Sequence, residues 1–207
     1  MPGQQLQTTA LILSRQPSGS DNFERLIAFC PEHGVLHCLR RITTRKSAGN
    51  SVPLDIFDET ELWLESSNQG RTWFIKEHRL VARHTGIGRS YEALRCAAAL
   101  AALVTRNPVG SESRRPVTAL LRQTFAALGE GGRPDIVWFK ALYCFLRDEG
   151  YPVKQQWWPH LEPADRSLVA QLLNQPLAAQ TADAPTVARL THRLEDWLKA
   201  DTELRLA

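Results

Sequence analysis

None of the four cysteines, Cys30, Cys38, Cys96 and Cys144, stands in a C-x-x-C pair. No basic start followed by an apolar run and a small-residue cleavage site opens the chain. Together these absences predict a cytoplasmic protein with reduced thiols. No apolar stretch approaches the roughly 20 residues that a membrane helix needs, so no span is expected. The longest run, residues 96–104, is about half that length.

Catalytic machinery is equally scarce. The "GEGG" of residues 129–132 shares only its glycines with a phosphate loop, because Gly-Lys-Ser/Thr is missing and it joins two helical segments. His192 and Asp196 lie four apart on a predicted helix, but no Ser or Cys sits in a nucleophile motif, so they read as a surface pair. The "CPEHGVLHC" of residues 30–38 offers four metal-ligand types. If residues 35–42 form a strand, however, His37 and Cys38 point to opposite faces and cannot both reach one ion. The expectation is a protein that is not an enzyme, with no cofactor and no metal.

At 207 residues and 43% hydrophobic, the chain is long enough to bury a sizeable core. Its net charge of +3 is mild, and the distribution of charge says more than the total. Residues 51–70 carry five acids and no base, whereas residues 36–54 hold no acid before Asp55 and pack Arg40, Arg41, Arg45 and Lys46 into seven positions. From residue 96 onward thirteen bases face twelve acids. An anionic partner is therefore expected at the N-terminal part.

Up to about residue 80 the pattern is that of strands, at residues 6–15, 23–30, 35–42, 54–65 and 72–81. Each is rich in Leu, Ile, Val, Phe, Trp or Thr and bounded by turn residues. Five short strands without a helix-length break predict a small antiparallel β-barrel over residues 1–82. Trp63 and Trp73 flank one turn, which allows a cross-strand contact, but barrel core is the simpler place for both. After Gly86 and Gly88 the pattern turns helical: Ser90 caps one helix, Pro116 and Pro134 open the next two, and two more cover residues 163–173 and 185–199. The third, "PDIVWFKALYCFLRDEG", is apolar nearly all round and is expected at the centre of a bundle. The fold class is thus α+β, a barrel followed by a helical domain at 83–207.

Arginine binds phosphate in a fork and lysine as a mobile point charge, so Arg40, Arg41, Arg45 and Lys46 suit a polyanion as well as a solvated loop. Arg15, Arg25 and Arg79, with Arg71, Lys76 and Arg83, extend the patch if the strands close. Phe23, Phe29, Trp63, Trp73 and Phe74 are the available stacking platforms.

The stretch "ALILSRQPSGSDNFERLIAFCPEHGVLHCLRRITTRKSAGN", residues 10–50, resembles the opening of the RecO family of DNA repair proteins. It has a strand ending in a polar residue and Arg, an acidic loop, an E-H-G turn, and a strand running into a Lys/Arg/Ser/Gly loop. "F-x-x-x-E-L" from Phe57 to Leu62 and "FKALYCFLRDEGYPV" at residues 139–153 resemble the family's fourth strand and central helix. The resemblance implies an OB fold followed by a helical domain, and a recombination mediator that binds single- and double-stranded DNA and anneals strands. It also implies RecR and single-stranded-DNA-binding protein as partners in helping RecA onto DNA. By position it implies DNA contact at Arg40, Arg41, Arg45 and Lys46. One departure is plain: where many members carry a four-cysteine zinc module, this chain reads "KQQWWPHLEPADRS", so metal binding is not carried over. The alternatives are a RecO-like adaptor that acts through protein partners, and an OB-fold RNA binder.

Overall fold

The computed structural model describes residues 3–17, 22–42 and 52–206. Contacts divide the chain into two compact units, Met1–His84 and Thr85–Ala207.

The first unit is built from β1 (Gln4–Pro17), β2 (Phe23–Cys30), β3 (Gly34–Arg41), β4 (Glu59–Ser66) and β5 (Trp73–Ala82). They form one sheet that closes on itself in the order β1-β2-β3-β5-β4. The expected purely antiparallel sheet is corrected to a mixed one. β3 and β5 run parallel, with Cys38 opposite Trp73 and Leu39 opposite Phe74. The reason is parity: five strands cannot alternate direction all the way round a closed ring, so one neighbouring pair must be parallel.

Side chains alternate across each strand. Ala10 and Ile12, Leu26 and Ala28, Leu36 and Cys38, Leu62 and Leu64 point inward and fill the barrel together with Trp73. Trp63, opposite Glu77, takes the outward parity. The two tryptophans therefore serve different faces and only Trp73 is core. The fourth strand starts at Glu59, later than the pattern suggested. Residues 54–58 make a turn instead, with Phe57 at φ 66° and the Asp55 amide donating to Asp58 Oδ2 at 2.8 Å. The Ile12 amide donates to the Asp58 carbonyl at 2.9 Å and the Phe57 amide to the Ile12 carbonyl at 2.7 Å, which ties this turn to β1.

The second unit contains α1 (Tyr91–Arg106), α2 (Arg114–Gly129), α3 (Pro134–Asp148), α4 (Pro163–Asn174) and α5 (Ala184–Asp201). Ser90 caps α1 by accepting from the Ala93 amide, and Asp183 caps α5 by accepting from the Thr186 amide. α3 buries Ile136, Phe139, Leu142, Phe145 and Leu146 and packs against α1, α2, α4 and α5. This central position is what an all-round apolar helix requires. Trp157 is buried against Phe139 and Tyr143, and Trp158 lies against Tyr143, so the "WWP" segment covers the flank of α3. No helix among the described residues is long and apolar enough to cross a membrane.

Candidate nucleic-acid interface

The pairing of β2 with β3 sets Phe23 opposite Arg41, Glu24 opposite Arg40, and Arg25 opposite Leu39. Directly opposed residues share a face. Leu26, opposite Cys38, points into the core. By alternation Glu24 and Arg40 take the inward parity at the barrel's end, while Phe23, Arg25, Leu39 and Arg41 point outward. Leu39 pairs in turn with Phe74 of β5. On the outer face of β2 and β3, Phe23 thus meets Phe74 of the neighbouring β5 in edge-to-face contact, ring centroids 6.0 Å apart at 72°.

Phe74 keeps 36% of its surface exposed and Ile42, at the end of β3, 44%. Arg25 and Arg41 beside them are exposed, and no carboxylate among the described residues pairs with either. The arrangement sets two aromatic rings beside two cations that have no carboxylate partner among the described residues.

The other arginines expected at the site have different work. Glu24 is buried, 4% exposed, and holds Arg15 by Nε at 2.6 Å and Arg40 by its own Nε. That ion cluster spans β1, β2 and β3 and leaves one positive charge instead of two. Arg79 pairs with Glu61 on the adjoining β4, and Lys76 pairs with Glu65 at 2.6 Å. The Gln7 amide, then Arg79, hold the Glu61 carboxyl below the usual carboxylate range. Arg83 grips the buried Asp58 through Nε at 2.9 Å and Nη2 at 2.6 Å. The structure therefore does not bring Arg79, Lys76 or Arg83 onto the β2–β3 face, and the expected patch is narrower than the sequence suggested. Arg45 and Lys46 lie outside the described residues.

What the sequence missed was Glu24, whose role depends on cross-strand register, and the selection of Phe23 and Phe74 from five aromatic candidates. The alternation of Phe23, Arg25 and Ile27 with Glu24, Leu26 and Ala28 was the available signal for both.

Cys38 is buried in the barrel core, and burial, with the neighbouring Cys30, pushes its thiol up to about 12. His37 is exposed on the outer face, on the opposite side of β3 from Cys38. No group of three His, Cys, Asp or Glu among the described residues converges as a metal site. His192 and Asp196 form the surface pair expected of them, 3.3 Å apart and both exposed. No family model matches this chain, and no curated protein matches it.

Proposed function

We propose that the first unit is an oligonucleotide-binding barrel and that the protein is a non-enzymatic DNA-binding mediator of RecO type. It would bind single- and double-stranded DNA, anneal complementary strands and assist RecA loading, with RecR and single-stranded-DNA-binding protein as candidate partners. The strand order β1-β2-β3-β5-β4 supports the barrel type, because folds of this kind bind oligonucleotides on the face of their second and third strands and on the loops beside it. The observation that carries the reading is the β2–β3 outer face, where half-buried Phe23 and exposed Phe74 lie beside Arg25 and Arg41, which have no carboxylate partner among the described residues. Residues 43–51, which include Arg45 and Lys46, follow Ile42 in sequence.

Mechanistically, bases stack on the phenyl rings while arginines neutralise phosphates. Lowering the repulsion between two strands lets complementary bases meet without a covalent step or nucleotide hydrolysis. The test is fluorescence anisotropy with a labelled single strand across a salt series. Arg25→Ala with Arg41→Ala is expected to weaken binding and to reduce the salt slope by about 1.4, since each lost phosphate contact on a single strand removes about 0.7. Lys76→Ala with Arg79→Ala, which removes only internally paired cations, should leave affinity within about twofold. An unchanged salt slope in the first variant sinks the reading. DNA and RNA strands of one sequence in the same assay separate the RNA-binding alternative. Affinity for no strand above that of a mildly basic control protein would favour the adaptor.

A further inference from the structure

At the end of the barrel away from Arg25 and Arg41, a cavity of about 580 Å³ opens between the start of β1, the β2–β3 turn and the β4–β5 loop. Its polar lining is unusual for this chain: the carboxamides of Gln4, Gln5 and Gln69 and the imidazole of His33, with no carboxylate, lysine or arginine. None of these four side chains is engaged by another described residue. Trp73 forms the wall, so close to the loop that a Cβ added at Gly70 would lie 3.3 Å from its ring and 3.5 Å from Gln4 Oε1.

The loop that presents Gln69 is tightly knit. Ser66 Oγ accepts from the Gly70 amide at 3.0 Å, and Asn68 Oδ1 accepts from the Thr72 amide at 3.0 Å. Gln69 itself is held at φ 60°, a left-handed backbone that glutamine seldom adopts. Non-glycine strain of this kind collects where a side chain must be aimed. The cavity also continues the β2–β3 outer face. Val35, which lines it, shares the outward parity of Leu39 and Arg41 on β3. The seven residues from Val35 to Arg41 span about 20 Å, six steps of a strand and room for several nucleotides of an extended strand.

We infer that this cavity is a nucleobase pocket, which takes one unstacked base of a single strand whose phosphates lie toward Arg25 and Arg41. The inference rests on the nucleic-acid reading of the β2–β3 face and names the substrate class within it: unpaired bases, not duplex. An uncharged lining gives no hold on phosphate, whereas a carboxamide carries both a donor and an acceptor and matches the edge of a base. The His33 ring adds a surface for stacking. A base inside a duplex cannot enter, because its edge is already paired.

The experiment compares three labelled probes by anisotropy: a base-bearing single strand, the same strand made of abasic sugar-phosphate, and a duplex. The variant Gln69→Gly with Gln4→Ala removes two carboxamides and keeps the turn, since glycine accepts a positive φ. Binding of the base-bearing strand should fall about three- to tenfold, with the abasic strand and the duplex unaffected. Equal loss on all three probes, or no loss on the base-bearing strand, overturns the pocket. Arg25→Ala with Arg41→Ala separates the two readings. If that variant binds all probes normally while the pocket variant loses its base-dependent part, the basic face fails and the pocket stands. The opposite pattern removes the pocket alone.

Discussion

Glu24 shows how one carboxylate decides what its neighbours can do. It lies buried beneath Arg15, whose side chain is 49% exposed, and beside Arg40, at 19%. Removing it leaves two guanidiniums crowded at one barrel end, one of them largely desolvated. Glu24→Gln is expected to lower stability by about 1–3 kcal/mol in urea unfolding, at the modest end because water screens Arg15. In the helical unit, Asp165 plays a comparable part. Arg189 forks onto it at 2.8 and 2.6 Å and Arg193 adds a third contact at 2.9 Å. These bonds, Arg189 first, hold its carboxyl below the usual range. A depressed folded pKa contributes stability that is present above the unfolded value of about 3.9 and is lost as pH falls through the lower folded value. Asp165→Asn should therefore flatten the acid limb of the melting temperature below about pH 4 relative to the parent. Equal slopes in the two proteins would contradict the assignment. Cys38, pushed up to about 12, should be inert to a thiol reagent at pH 8 until the protein unfolds.

Among the elements, close approach of backbones distinguishes two glycines that look alike in sequence. A Cβ at Gly86 would sit 1.8 Å from the carbonyl oxygen of Gly129 at the end of α2, whereas one at Gly88 would meet nothing within 4 Å. Gly86→Ala should cost about 1–3 kcal/mol or more, because backbone must move, and Gly88→Ala should be near neutral by thermal melting. Most elements were legible beforehand, since strand alternation and helix caps are local signals. The start of β4 was not. Residues 54–58 have strand composition, yet Asp55 and Asp58 close a turn whose Phe57 amide and Asp58 carbonyl bond to Ile12 of β1, a partner more than forty residues away. The parallel pairing of β3 with β5 was equally invisible, being a property of ring closure and not of either strand.

Across the whole molecule, the segregation of charge read from the sequence is refined by pairing. The acids of residues 55–65 neutralise Lys76, Arg79 and Arg83, and Glu24 absorbs one of Arg15 and Arg40. On the β2–β3 face Arg25 and Arg41 are left without a carboxylate partner among the described residues, with Arg45 and Lys46 next in sequence. A phosphate-binding surface of these four predicts a salt slope of about −3 on single strands, well short of a large basic interface. A slope above about 6 in magnitude would mean that other cations carry the binding.

The sequence by itself determined that the chain has a strand-built part and a helical part, that α3 is central, and that a basic segment ends β3 and continues beyond it. These follow from periodicity and composition, which act over a few residues. Only the tertiary structure decided which arginines remain available, which aromatics lie outside, and that three glutamine amides and a histidine share one cavity. Each of those depends on register around a closed sheet, where a shift of one residue turns every side chain to the other face.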